Sequence, residues 1–176
     1  MNKIIYKLSH FNNELKVFKA DNKEIIYSSF WFMEFGKTCA EVQNSAEELI
    51  YFITKKFQFW KWRMVYLIKD NNEKDLILIS QNKRNTIYKI EIDSTIYEIK
   101  IHYKKKKSVY KNNKKIAEFD ESLSDEKFIQ LLVSDEKDIK MVFLLYTSLL
   151  IGETDQKAKT VMISQKQLET IKEPWN

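Results

Sequence analysis

A run of lysines is the feature of this sequence that could most clearly do chemistry. Between Lys100 and Lys115 there are eight lysines and no acidic residue. Ammonium groups that converge on one surface attract phosphate-bearing ligands, and each lysine near an anionic membrane contributes about 1 kcal/mol. The alternative is a solvated strand edge, since edge lysines also prevent aggregation between sheets. We predict an anionic-ligand site formed by Lys104, Lys105, Lys106, Lys107, Lys111, Lys114 and Lys115.

The other reactive side chains are isolated from one another. His10 and His102 are the two histidines, and neither has a metal-ligating partner at helical or Cys-x-x-Cys spacing. His102 falls among lysines on the polar face of a predicted strand, so we expect it at the surface. Cys39 is the single cysteine, and its strand context favours a small buried side chain. The sequence therefore predicts no catalytic residues, no metal site, no cofactor and no enzymatic activity.

Nucleic acid is not an expected partner. Trp60 and Trp62 could stack on bases, but they lie in a predicted strand over residues 57–69 and share a period-two face with Met64 and Tyr66, which favours packing in the core. The net charge of +5, from 30 basic and 25 acidic residues, is too small for a nonspecific nucleic-acid coat unless it is concentrated on one face.

The acids at 47–48 and 135–138 precede apolar runs, where carboxylates stabilise the positive end of a helix dipole.

Length and apolar patterning predict one globular domain. The chain has 176 residues, of which 44% are apolar, so it can bury a sizeable core. We expect a single domain over residues 1–176, with residues 153–176 as a peripheral tail. The amino end lacks the apolar segment and cleavage site of a signal peptide. The longest apolar stretch, residues 141–151, is shorter than the roughly 20 residues that cross a bilayer. We expect a cytoplasmic protein without a transmembrane segment, either free or peripheral at the inner membrane surface.

Short strands account for most of the chain. Alternation with period two recurs in about a dozen segments, such as 86–93 and 95–104, and the connectors contain Asn, Asp and Ser in place of glycine. The Asn112-Asn113 pair predicts a hairpin turn, with Val109 and Ile116 pointing inward. Residues 141–151 are apolar on every helical face, so this helix must be enclosed. We predict a mainly β, closed or nearly closed barrel of about twelve short antiparallel strands around a buried C-terminal helix at about 136–151.

One further helix is predicted near residue 50. Ser45 stands three places before Glu48 in the pattern of a capping box. Apolar residues then recur at helical spacing, at Ala46, Leu49, Ile50, Ile53 and Phe57. These signals indicate an amphipathic helix of about three turns at about 46–57.

The order of elements resembles the tubby C-terminal-like fold, which tubby domains, LURP-one-related proteins and phospholipid scramblases share. The resemblance lies in TIYKIEIDSTIYEIKIHYKKKKSVYKNNKKIAEFD followed by DIKMVFLLYTSLLIG. It implies a closed barrel threaded by its C-terminal helix, and binding of phosphoinositide or other anionic lipids in some members. The cysteine-rich palmitoylation segment of scramblases is missing.

Two functions remain open from the sequence. The first is a non-enzymatic binding module whose basic hairpin contacts anionic lipid head groups. The second is a small protein-interaction protein of the immunity or adaptor type, which the surface charge of both signs would also suit. The sequence leaves the ligand and the oligomeric state undetermined.

Overall fold

The computed structural model describes residues 3–21, 24–102, 106–121 and 128–151. In these ranges twelve strands are followed by one α-helix. The strands are β1 (Ile4–Phe11), β2 (Glu14–Lys19), β3 (Ile25–Glu34), β4 (Lys37–Asn44), β5 (Leu49–Gln58), β6 (Arg63–Asp70), β7 (Asp75–Ser80), β8 (Ile87–Ile92), β9 (Thr95–Ile101), β10 (Lys106–Lys111), β11 (Lys114–Asp120) and β12 (Phe128–Val133), and the helix is α1 (Ile139–Leu150).

The twelve strands form a closed barrel. Each strand pairs antiparallel with its neighbours in the chain, and β1 also pairs with β12, from Ile4 opposite Val133 to Ser9 opposite Phe128. Closure satisfies the backbone hydrogen bonds of the first and last strands and leaves no open sheet edge. The predicted mainly β fold, a twelve-stranded antiparallel barrel with a C-terminal helix, is confirmed.

Antiparallel order gives the barrel two distinct ends. Odd-numbered strands end, and even-numbered strands begin, at one end, which we call the upper end. The reverse holds at the lower end, where β12 also leads into α1. With only two glycines in the chain, several turns place asparagine in the left-handed region, including Asn12, Asn85, Asn112 and Asn113. Asparagine tolerates positive φ because its short polar side chain can hydrogen-bond locally.

Helix α1 runs through the barrel from the lower end to the upper end. Ten of its twelve residues are buried. Its Phe143 ring stacks on Tyr27 of β3 at 5.9 Å, and its Tyr146 ring stacks on Phe119 of β11 at 4.1 Å. Strands β3 and β11 are four positions apart around the ring, so the helix is packed against the wall on more than one side. The prediction of an enclosed apolar helix is confirmed.

Polar groups at the two ends of α1 and inside it have partners. Before the helix, the Asp135 carboxylate accepts a hydrogen bond from the Lys137 amide at 3.0 Å, as expected for acids at a helix start. Inside the barrel, the Thr147 and Ser29 hydroxyls lie 3.1 Å apart. After the helix, the Lys55 ammonium donates to the Ile151 carbonyl at 2.6 Å. A cation at this position complements the negative end of the helix dipole.

The helix predicted at residues 46–57 is wrong. This segment is the β4–β5 turn followed by strand β5, which pairs with β4 and β6. The Asn44 carboxamide oxygen accepts hydrogen bonds from the amides of Ala46 and Glu48, at 2.9 and 3.0 Å, and therefore organises a turn at the place where a helix cap was expected. Tyr51 and Ile53 face the core at a spacing of two residues. Pairing on both sides outweighs a helical pattern of only three turns, because a missing strand would open the barrel.

Two further expectations concern the chain ends and the membrane. The predicted tail, residues 153–176, lies outside the described residues. No helix among the described residues is both long and apolar enough to cross a membrane.

Candidate functional site

The lysine run forms the hairpin of β10 and β11, as predicted. Asn112 and Asn113 both have positive φ, 48° and 65°, which is the backbone of a two-residue type I′ turn. The Asn112 side-chain oxygen also accepts a hydrogen bond from the Ile96 amide at 2.9 Å, and this bond attaches the turn to β9. Val109 and Ile116 are buried, which confirms their predicted direction. Strand β10 pairs with both β9 and β11, so the lysines do not mark an open sheet edge.

The hairpin divides the lysines between the two ends of the barrel. Lys106 and Lys107 lie at the upper end of β10, whereas Lys111, Lys114 and Lys115 surround the turn at the lower end. A strand of six residues separates these groups by about 17 Å. Lys104 and Lys105 lie outside the described residues. The five described members of the predicted site therefore form two groups that a single head group cannot span.

Lys107 points into the barrel. Its side chain forms an ion pair with Glu121 and lies over the Tyr146 ring of α1, 5.3 Å from the centroid. The Tyr146 hydroxyl donates to the same Glu121 carboxylate at 2.6 Å. Lys107 is only 8% exposed. Its ammonium group therefore stabilises the junction between the barrel wall and the central helix, and it is poorly placed to meet a ligand in solution.

Three other lysines of the hairpin lie near carboxylates. Lys106 lies 3.8 Å from Asp120, and Lys115 forms an ion pair with Glu118. Lys111 donates to Asp138 at 2.8 Å, and this hydrogen bond raises the pKa of Lys111 above its ordinary value. Lys114 is exposed at the turn and has no ion-pair partner within the described part of the chain. The lysine run is therefore less positive in three dimensions than in the sequence.

Charge is distributed unequally between the two ends. In the described residues of its turns and two residues of each flanking element, the upper end carries eight cations and four carboxylates. The same parts of the lower end carry eight cations and twelve carboxylates, and Lys3 before β1 is a ninth cation there. At the upper end the cations are Lys37, Lys61, Arg63, Lys83, Arg84, Lys100, Lys106 and Lys107, and the acids are Glu14, Glu34, Asp120 and Glu121. Within the described residues, the upper end is therefore net positive and the lower end net negative.

Large aromatic side chains project from the upper end. Residues 57–69 were predicted as one strand with Trp60 and Trp62 in the core, and this prediction is wrong. Strand β5 ends at Gln58, a short 3₁₀ turn covers Phe59–Lys61, and β6 begins at Arg63. Trp60 is 94% exposed and Trp62 is 58% exposed. Two antiparallel strands require a turn between them, but the sequence pattern predicted a helix at residues 46–57. It therefore gave no reason to expect a turn before β6.

The isolated reactive side chains do not assemble into a site. Cys39 is buried on β4 as predicted, with its sulfur 3.8 Å from the Thr54 hydroxyl. His102 was expected at the surface, but it is only 1% exposed, so this expectation is wrong. His102 follows the last residue of β9, where the alternation of the strand no longer determines which side a residue faces. Within the described ranges, no group of three or more His, Cys, Asp or Glu side chains is arranged to hold a metal ion.

Comparison with known proteins identifies a family. A family model described as the Tubby C-terminal like domain matches residues 16–151, from β2 to the end of α1. No curated protein and no solved structure matches the chain.

Proposed function

Because the chain belongs to the Tubby C-terminal-like domain family, we propose that this tubby-like binding module recognises anionic lipid head groups with the cations of its upper end. The observation that supports the proposal is the segregation of carboxylates among the described residues, four at the upper end and twelve at the lower end for similar numbers of cations. An anionic membrane attracts the first surface and repels the second. We propose binding without catalysis, at an anionic membrane surface such as the cytoplasmic leaflet.

The lysines predicted from the sequence take different parts in this proposal. Lys106 belongs to the upper end, but the Asp120 carboxylate lies 3.8 Å from its ammonium group and offsets most of its attraction for a head group. Lys111, Lys114 and Lys115 belong to the lower end, where the Asp138 and Glu118 carboxylates lie beside two of them. Each exposed lysine near an anionic membrane contributes about 1 kcal/mol, and a carboxylate beside it removes most of that gain. Lys111, Lys114 and Lys115 therefore form the alternative lipid site, which an experiment must distinguish from the upper end.

Two charge-reversal variants distinguish lipid binding at the upper end from lipid binding at the lower end. Lys83 is exposed in the upper β7–β8 turn, and Lys114 is exposed in the lower β10–β11 turn. We expect the wild type to bind vesicles of phosphatidylcholine and phosphatidylserine more tightly than vesicles of phosphatidylcholine alone, with affinity falling as salt rises. Lys83→Glu changes the local charge by two units, so it should weaken binding by about 2 kcal/mol, or roughly 30-fold. Lys114→Glu should bind like the wild type.

The opposite pattern of vesicle binding would assign the lipid site to the lower end. If Lys114→Glu lost binding and Lys83→Glu kept it, head groups would meet the lysine turn, as the sequence alone suggested. If the wild type ignored anionic vesicles even at low salt, the lipid proposal would be wrong. Thermal melting of both variants is the control, since an exposed single charge changes stability little.

A protein partner is the second candidate, and one feature of the barrel wall favours it. A depression of about 470 Å³ on the outer face of β5, β6 and β7 is lined by the apolar residues Phe52, Leu67, Leu76 and Ile77 together with Thr54, Lys69 and Asp75. Leu67 and Ile77 lie directly opposite each other on neighbouring strands and are both exposed. If this surface binds a protein, Leu67→Glu should abolish capture of that protein from lysate, and Lys83→Glu should leave capture unchanged.

A further inference from the structure

The tips of two neighbouring hairpins at the upper end display aromatic side chains to solvent. Phe35 in the β3–β4 turn is 96% exposed, and in the β5–β6 turn Phe59 is 61% exposed and Trp60 is 94% exposed. Strands β4 and β5 pair directly, so the two hairpins are adjacent in the barrel wall. Within the second tip, the Phe59 ring lies 5.4 Å from Trp62 and 6.1 Å from Trp60. Phe59, Trp60 and Trp62 therefore form one exposed aromatic cluster, and Phe35 is exposed at the tip of the neighbouring hairpin.

The fold itself gains little from these side chains. Phe35 and Trp62 occupy the left-handed backbone region, with φ of 45° and 47°. A bulky side chain is unfavourable there, and this chain uses asparagine at several comparable positions, such as Asn12 and Asn113. An exposed aromatic ring in a strained turn also adds no core packing. Such outliers are reasonable starting points for a hypothesis of function.

We propose that the tips of the β3–β4 and β5–β6 hairpins insert into the interfacial region of a lipid bilayer, with Phe35, Phe59, Trp60 and Trp62 as the inserted side chains. This inference rests on the proposed function, since it assigns the anionic membrane to the same end of the barrel. It adds an apolar contact that does not depend on head-group charge. Tryptophan prefers the level of the lipid head groups, where its ring is in an apolar region and its N–H can still reach water.

The charges around the cluster favour a bilayer over other occupants. Lys37 begins β4 two residues after Phe35, and Lys61 and Arg63 flank Trp62 at the other tip. Long basic side chains can extend from inserted apolar neighbours to lipid phosphates. The aromatic residues also lie on convex tips at one end of the barrel. A fluid bilayer can close around such tips, whereas a protein partner or a second copy would need a matching cleft.

Paired substitutions test the insertion. The probe is vesicles of phosphatidylcholine and phosphatidylserine whose acyl chains carry bromine, which quenches tryptophan fluorescence at short range. The wild type should bind, and its fluorescence should be quenched. Removing each aromatic ring should weaken partitioning by about tenfold, which is roughly half of the free energy of fully burying such a side chain. The double variant Phe35→Asn/Trp60→Ser should therefore bind about 100-fold more weakly.

Two controls keep the test decisive. Phe35→Asn alone places a residue suited to positive φ in the turn, so its melting temperature should equal or exceed that of the wild type while its binding falls. Leu49→Ser removes an exposed apolar side chain at the lower end and should leave binding unchanged.

Three results would overturn the insertion. If the double variant bound like the wild type while Lys83→Glu lost binding, head-group recognition would stand without aromatic insertion. If no variant or wild-type protein bound vesicles, both proposals would fail. If sedimentation showed a wild-type dimer that the double variant dissociated, the aromatic cluster would be an interface between two copies of this chain.

Discussion

The buried pair of Lys107 and Glu121 gives the sharpest test of the inward direction of this lysine. In Lys107→Met the aliphatic stem keeps its packing, but the Glu121 carboxylate loses this cation and, among the described contacts, retains the hydrogen bond from Tyr146. Breaking a buried ion pair by removing one partner typically costs about 3 to 5 kcal/mol. Glu121 is 17% exposed at its side chain, so water offsets part of the loss, and we expect about 3 kcal/mol.

Denaturant unfolding of four proteins measures this effect. Lys107→Met/Glu121→Gln removes both charges and leaves an amide oxygen to accept the Tyr146 hydroxyl, so the double variant should recover most of the lost stability. Lys74→Met is the control at a surface ion pair, where the Lys74 and Asp93 side chains are 47% and 79% exposed, and it should cost less than about 1 kcal/mol. Equal stability of Lys107→Met and the wild type would show that the Lys107 ammonium extends into solvent, as the sequence pattern suggested.

The enclosed helix, one buried tyrosine and one turn give further predictions. Leu145 is fully buried in α1, so Leu145→Ala should lower the free energy of unfolding by about 2 to 5 kcal/mol in urea titration; a loss below 1 kcal/mol would contradict its enclosure. Burial, with a smaller contribution from the Asp70 carboxylate, raises the pKa of Tyr51 from 10.0 to about 12. The unfolded phenol ionises first, so stability should fall as pH rises from 10.0 to about 12, and Tyr51→Phe should flatten that part of a plot of melting temperature against pH. Asn113 has φ of 65°, so Asn113→Ala should destabilise the β10–β11 turn by about 1 kcal/mol in thermal melts, while Asn113→Gly should not.

The sequence alone determined the barrel and its central helix. Period-two alternation depends on which side of a strand each residue faces, and that property is local. The apolar run that became α1 could not be exposed on any face, so it required a surrounding wall whatever the order of the strands. The positions of Val109, Ile116 and the Asn112-Asn113 turn follow from the same local rules, and all three were predicted correctly.

Local patterns failed where two structures could satisfy the same residues. Tyr51 and Ile53 suit a strand, while the wider spacing of apolar residues in that segment also suits a helix. Pairing with β4 and β6 decided in favour of the strand. A short window of sequence around Tyr51 does not contain these partner strands. That single error then placed Trp60 and Trp62 in the core, because the turn between β5 and β6 was not recognised.

Only the tertiary structure decided where the charges act. In the sequence the lysines between Lys100 and Lys115 form one acid-free interval, but the β10–β11 hairpin places its described lysines at opposite ends of the barrel. The carboxylates of Asp138 and Glu121 then approach Lys111 and Lys107 from segments distant in the chain. Electrostatic attraction depends on distance in space, so the net positive upper end and its exposed aromatic cluster emerge only once the strands are ordered around the closed barrel.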